Sequence, residues 1–533
     1  MRILLRCILA VFLIGQSAAA GYIARPRLII FISIDQMRAD YLERFKFSGG
    51  FKRLISKGAW YTNADLNYAS SETGPGHATL STGCYPGKSG ILSNEWIDPE
   101  TKRTIYCVED STATPVEGEG GYRSPANLVV QGLGDWLKAS SPGSRVIAVS
   151  SKDRAAVLMG GKRPTGAFWY DGSHGRIVTS SYYMNSVPDW VKQFNAEDWI
   201  TRNVPNAWVK SQSDDVYAAD AQDEFTGEFV WGSSTSFPHA FATANKTSQI
   251  LTSPYGDMLT LDFAVEAARS ERLGMRGVPD LLCVSLSCTD YVGHNFGPNS
   301  QEIHDHLLRL DKALDGFLNR IDTLVGQNVV VALSADHAVM PLPEYETQVL
   351  HHPSRRIFFD AEIRPVLDSL NRTIQLKAGT SEPVVIADGF LNYSAVAGAG
   401  MDSIRLENAV AAGLKRSPAI ADVYFRRELI DTRTPDRPYL SHFRRSYFPG
   451  RGEDFQVRFC EHCLVTTRGT GTSHGSTYRY DTHVPVVFLG SGIVPGRFTR
   501  RVHTVDVAPT LARMLNTAIP SSVDGTPLKE VYR

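Results

Sequence analysis

The stretch RLIIFISID, Arg27 to Asp35, decides the fold. Its apolar run is continuous, is rich in isoleucine and stops on a carboxylate. A strand with one face in water alternates apolar with polar residues; a strand buried on both faces does not. The reading is therefore a central parallel strand with a polar group at its C-terminal end. The pattern recurs in SRVIAVSSKDR (Ser144 to Arg154), ending in Lys152 and Arg154, and in DLLCVSLSCTD (Asp280 to Asp290), ending in Asp290. It appears again in NVVVALSADH (Asn328 to His337), ending in Asp336-His337, and a fifth run, HVPVVFLG, begins at His483. Between these runs lie helical spacings, the clearest from Ser300 to Leu324, where Leu307, Leu310, Leu314, Phe317, Leu318 and Ile321 recur on one face. Strands alternating with helices predict an α/β fold with a mostly parallel central sheet flanked by helices. Ligands of such sheets bind beyond the carboxyl ends of the strands. Four strand ends here carry ligand-capable groups, which points to an enzyme.

Two stretches, roughly 160–250 and 340–470, break the alternation and are expected to be cap insertions on a single catalytic domain spanning 21–533. A chain of 533 residues with net charge −1 has neither the basic footprint of a nucleic-acid binder nor a polybasic membrane arm. The start, MRILLRCILAVFLIGQSAAAGY, has Arg2 and Arg6, a short apolar run and small residues through Ala18 and Ala20. It reads as a signal peptide over 1–20, so export to a periplasm or the exterior is expected. The run falls short of the roughly 20 apolar residues a membrane span needs, and no span is expected in the mature chain, which is read as a monomer.

Beyond the signal, six cysteines remain, an even number that favours disulfides in an exported chain. Pairing 84 with 107, 283 with 288 and 460 with 463 is one of several arrangements. The Cys460-Glu-His-Cys463 spacing also suits a redox motif or half of a zinc site, with a structural disulfide as the preferred reading. His304 and His306 read as surface or capping residues, and His351-His352 as lining the cap. His462 sits inside the CxxC loop.

Asp290 and His294 stand four apart, so a helix beginning there puts both on one side. Asp336-His337 is a second oxygen–nitrogen pair, Asp35 a third carboxylate, and His474 lies in the Gly-rich loop GTGTSHGS. Each alone is a weak signal. Together they are the donor types zinc takes, with catalytic sites leaving a position open. Upstream, Thr73 stands between Glu72 and a Gly-Pro-Gly-His turn, and a lone Asn94 follows 21 residues later.

The run TGPGHATLSTGCYPGKSGILSN (Thr73 to Asn94), taken with Ile34-Asp35, TDYVGH, ADH and SHG, resembles the alkaline phosphatase superfamily. It is most similar to the nucleotide pyrophosphatase/phosphodiesterase branch and its Thr-nucleophile bacterial alkaline phosphatase relatives. AFWYD, SSYYMNSVPDWVKQFN and GHNFGPNSQEIHD extend the resemblance over nearly the whole mature chain. It implies an alkaline phosphatase-like fold and two zinc ions per chain. One would be held by Asp290, His294 and His474, the other by Asp35, Asp336, His337 and the oxygen of Thr73. Thr73 would be the nucleophile, forming a phosphothreonine, and Asn94 would donate to a phosphoryl oxygen. Lys152 and Arg154 match the pair with which monoesterase relatives grip the remaining phosphoryl oxygens, whereas diesterase relatives use an apolar pocket. The resemblance thus implies a phosphomonoesterase acting on small phosphate esters, with a phosphodiesterase or nucleotide pyrophosphatase as the alternative. Ala338 departs from the Gly common in relatives, and no carboxylate set for a third, magnesium site is evident. A sulfatase would need a C/S-x-P-x-R context, which TGPGH lacks.

Overall fold

The computed structural model describes residues 25–119, 121–386 and 389–532. The segment read as a signal peptide, 1–20, lies outside the described residues. At the centre is an eleven-stranded sheet. Its principal strands in chain order are β1 (Leu28–Ile34), β2 (Ala59–Asp65), β3 (Val146–Ser150), β4 (Gly166–Asp171), β5 (Arg176–Ser180), β6 (Asp280–Leu286), β7 (Val329–Ser334) and β8 (His483–Gly490). Across the sheet they run β2-β8-β7-β1-β6-β3-β4-β5, with short strands at both edges. From β7 to β4 every pairing is parallel.

All seven residues of β1 are buried, which is why its sequence shows no alternation. Ile30, Ile32 and Ile34 pack on one side with helices α3 (Pro254–Ser270) and α5 (Gln301–Val325). Ile29 and Phe31 pack on the other with Trp136, Leu511 and their neighbours. The helix read from the leucine spacing is α5, entered through Ser300, whose hydroxyl accepts from the Ile303 N–H at 3.2 Å. Its histidines are not surface residues. His304 bonds Asp220 at 2.6 Å and His306 meets the Thr289 hydroxyl at 2.9 Å, both buried.

β8 is a strand as read, but it runs antiparallel to β7 and to β2. This reversal has a consequence for the site. The segment before β8, carrying His474, arrives at the same edge where the parallel strands end. The sheet also continues through β4 and β5, inside the first stretch that broke the sequence alternation. In the second stretch, helices Arg364–Ala378 and Ser403–Leu414 share an apolar core with the antiparallel pair Ile420–Phe425 and Phe455–Phe459.

Of the three cysteine pairs considered, Cys460–Cys463 is a disulfide; Cys84–Cys107 and Cys283–Cys288 are not formed. Cys283 points from β6 into the Ile29/Phe31 side, where its Sγ lies 3.4 Å from the Met159 carbonyl. Cys288 opens the next helix on the opposite side, 3.9 Å from the Ile250 carbonyl. Cys84 faces the Ser522 carbonyl, while Cys107 lies under Gly74. Four buried thiols packed in separate places behave as small apolar side chains.

Candidate active site

The register of the sheet aligns its strand ends. Ser33 stands opposite both Ser285 and Ser334, and Ser285 opposite Ser150, so one row of serines crosses four strands. Asp35, Asp336 and Lys152 follow two residues beyond that row. Asp290 lies on α4 (Cys288–Phe296), which starts just after β6 and carries His294 one turn on. Residues as distant in sequence as Asp35 and Asp336 thereby converge at one edge.

Opposite them, α1 (Thr73–Thr82) begins at Thr73 and is buried along its whole length. Gly76 is the reason it can come so close, because a Cβ there would collide with the Asp336 backbone. The Gly74 N–H donates to Asn94 Oδ1 at 2.7 Å, which leaves the Asn94 NH₂ group turned away from the helix. Glu72 fixes Asn94 in turn, its carboxylate accepting from the Asn94 N–H at 2.8 Å and the Ser93 hydroxyl at 2.7 Å.

The imidazoles share one pattern. His294 Nδ1 bonds the Thr472 carbonyl at 2.7 Å, His474 Nδ1 the Ser71 carbonyl at 2.7 Å, and His337 Nδ1 the Ala338 carbonyl at 3.0 Å. A carbonyl only accepts, so each Nδ1 carries the proton and each Nε2 keeps a lone pair. Those lone pairs face carboxylates. His337 Nε2 is 3.4 Å from both Asp35 Oδ1 and Asp336 Oδ2; His294 and His474 Nε2 lie 3.2 and 3.6 Å from Asp290 Oδ1. Burial pushes His337 and His474 below the usual imidazole range, which keeps them neutral, whereas for His294 the Asp290 charge outweighs burial and raises it.

Asp35 Oδ1, Asp336 Oδ2 and His337 Nε2 are buried and have no hydrogen-bond partner. Acceptors converging without a donor are costly unless a cation joins them. Asp35, Asp336 and His337 form one set with a donor atom of each within 4.8 Å of the others; Asp290, His337 and His474 form another. The donor set, its burial and the fixed tautomers suit divalent cations. Burial and the Asp336 charge push the Asp35 carboxyl well above the carboxylate range. Asp290, despite burial, is held down by His294 and Lys152.

Lys152, at the start of α2 (Asp153–Gly160), is buried between the sets, its ammonium donating to Asp35 Oδ2 at 2.7 Å and Asp290 Oδ2 at 2.6 Å. Arg154 reaches the nucleophile candidate, with Nη2 3.4 Å from Thr73 Oγ1 and Nη1 3.4 Å from the Tyr106 hydroxyl. All ten residues singled out from the sequence meet here. Beside them a cavity of about 270 Å³ opens towards the cap, lined by Glu72, His474, Phe443, Arg458 and Tyr478.

Two residues without a role in the sequence reading complete the frame. Gln36, left-handed at φ 67°, donates from Nε2 to Asp290 Oδ1 at 2.7 Å and from its backbone N–H to Asp336 Oδ1 at 3.2 Å. His77 bonds the Thr73 carbonyl at 2.9 Å and lies 3.2 Å from Asp336 Oδ2. Its signal was the four-residue step from Thr73, one helical turn; for Gln36 the only signal was its place next to Asp35.

A central parallel sheet with paired carboxylate–imidazole sets at its strand ends and a buried threonine on the facing helix defines a phosphoesterase of the alkaline phosphatase-like fold. The type I phosphodiesterase / nucleotide pyrophosphatase family matches residues 29–381, and the chain belongs to that family. It is 34% identical over 525 residues to alkaline phosphatase PafA of Elizabethkingia meningoseptica, covering 96% of this chain and 95% of that one. To alkaline phosphatase PhoV of Synechococcus elongatus it is 33% identical, over 96% and 94% of the two chains. The crystal structure of PafA superposes with a TM-score of 0.88 over 96% of this chain and 99% of that one.

Proposed function

We propose that this protein is an exported alkaline phosphatase that hydrolyses phosphate monoesters, working as a single catalytic domain in which 160–250, expected to be a cap, begins with two strands of the central sheet and 340–470 forms the cap insertion. The observation that carries the reading is the Arg154 guanidinium 3.4 Å from the Thr73 hydroxyl, with Lys152 buried beside it between the carboxylate sets. A monoester dianion exposes three phosphoryl oxygens, and a guanidinium, an ammonium and the Asn94 amide offer three donors for them. A diester replaces one of those oxygens with an organic group and leaves a donor unmatched.

Two zinc ions, one at Asp290, His294 and His474 and one at Asp35, Asp336 and His337 beside Thr73, would supply Lewis-acid charge that eases ionisation of the hydroxyl and neutralises the displacement. Thr73 Oγ attacks phosphorus, the bond to the ester oxygen breaks, and phosphothreonine forms. Water then cleaves that phosphoryl bond, returning Thr73 and releasing inorganic phosphate. Asn94, held by Glu72 and Gly74, keeps its NH₂ on the phosphoryl group through both steps. Arg154 stays charged throughout, since Tyr106 and Asp153 raise it despite burial.

The family itself is named for diester and pyrophosphate cleavage, so the second reading is a phosphodiesterase using the same centre. The double variant Lys152→Ala/Arg154→Ala separates the two. Turnover of an aryl phosphate should fall by on the order of 10²–10³, the cost of removing a transition-state donor, with far less change on the matching diester. Equal losses on both would refute the monoester assignment.

A further inference from the structure

Away from that centre, a second carboxylate–imidazole group has no role in it. Glu346 lies on the short helix α6 (Pro343–Gln348), His352 on the loop that follows, and His462 in the turn closed by the Cys460–Cys463 disulfide. One donor atom from each lies within 4.8 Å of the other two. His462 Nδ1 is 2.7 Å from Glu346 Oε2, and the two imidazole rings are 4.7 Å apart, tilted at 42°. We propose that Glu346, His352 and His462 form an additional site for a divalent transition-metal ion of the zinc class, sharing no residue with the catalytic centre.

The backbone around the group is built to hold it. His352 N–H donates back to the Glu346 carbonyl at 2.9 Å, folding the loop over the helix end. The His462 carbonyl accepts from Ser354 Oγ at 2.8 Å and from the Arg355 N–H at 3.2 Å, and its N–H reaches the Tyr480 hydroxyl at 3.3 Å. The disulfide fixes the same turn from both sides. His351 and His462 adopt left-handed φ values of 57° and 60° without being glycine. Such conformations are uncommon for residues other than glycine and cluster where a side chain must be aimed. Here they turn two imidazoles from separate loops towards one buried carboxylate.

Charge and access agree. Neighbouring Arg356 is matched by Glu344 at 2.7 Å and Arg355 by Glu362 at 2.5 Å, so Glu346 is left to the imidazoles. Glu346 is buried while His352 is exposed, which gives an ion a route in from solvent. Two imidazole nitrogens and one carboxylate oxygen are the three-ligand set of open zinc sites, with bonds of about 2.0–2.2 Å. An ion there would tie the α6 loop to the CxxC turn.

The test is the metal content of the purified full chain after dialysis against zinc, measured by elemental mass spectrometry for parent, His352→Ala, His462→Ala and Glu346→Gln. The expected result is one fewer bound equivalent in each variant, with aryl phosphate turnover unchanged. Loaded with cobalt in place of zinc, the parent should show more visible absorption than His352→Ala, by the contribution of one further bound ion. Because His352 is exposed, folding is not at stake in that variant. Identical metal content and identical cobalt spectra in parent and His352→Ala would overturn the proposal and leave the His462–Glu346 contact as an ordinary hydrogen bond.

Discussion

The catalytic carboxylate–imidazole group and the one in the cap stand on different ground. Asp35, Lys152 and Asp336 leave buried parallel strands two residues past a shared row of serines, so their positions follow from pairing along whole strands. Glu346, His352 and His462 hang on a six-residue helix, a loop and a disulfide-closed turn, each placed by a few individual bonds. Sheet register places several groups at once and resists single substitutions; loop placement is local, and a single contact decides it. The cap should therefore tolerate changes that leave chemistry intact, while changes at the strand ends should strike catalysis without unfolding the chain.

Thr73→Ala is the sharpest test of that contrast. Removing a nucleophile that works as part of a unit should lower kcat/KM on an aryl phosphate by at least about a thousandfold. Stability should barely move, because the hydroxyl's one bond is the 3.4 Å contact with Arg154. A variant that kept near-parent turnover would end the role given to this residue. A denaturant midpoint that dropped with activity would mean that the strand-end site and the fold are not separable.

Gln36→Ala should act next most strongly. Gln36 joins both ligand sets through its side chain and backbone, and an outer partner of a ligand is worth about 10–100-fold in metal affinity. Competition against a graded chelator should show weakened catalytic metal while the ion assigned to Glu346 and His462 stays put. Equal weakening at both places would break the independence of the two groups.

How much of this was written in the sequence divides along the same line. RLIIFISID and its three companions were legible because full burial abolishes alternation, and an abrupt stop on a charged residue marks a strand end. The direction of HVPVVFLG was not, since pairing sense lies in the partner and leaves no local pattern. Arg355–Phe358 pairs with Cys463–Thr466, more than a hundred residues away, and four-residue strands carry too little pattern to find one another by eye. Cys460 and Cys463 form the disulfide that was the preferred reading of their spacing; Cys283 and Cys288, two residues further apart, straddle a strand end and face opposite sides of the sheet. Gln36 escaped notice because its role rests on a left-handed backbone that no residue preference announces.

The smallest effect is expected at the seam between sheet and cap. Asp481 Oδ2 accepts from the Ser476 N–H at 2.9 Å and hydroxyl at 2.6 Å, fixing the His474 loop, and its carbonyl accepts from the Ala338 N–H at 2.8 Å beside His337. Burial, only partly offset by Ser476, pushes its carboxyl from 3.8 up to about 7. The folded chain thus keeps a proton that the unfolded chain releases near pH 4. Its contribution to stability is complete below that pH and is lost as pH rises through about 7. The slope from one such proton is at most about 1.4 kcal/mol per pH unit. Asp481→Asn keeps an acceptor for Ser476 but cannot titrate, so its urea midpoint should vary less than the parent's across this window. Parallel curves for parent and variant would show that Asp481 is ionised in both states and that the seam carries no proton.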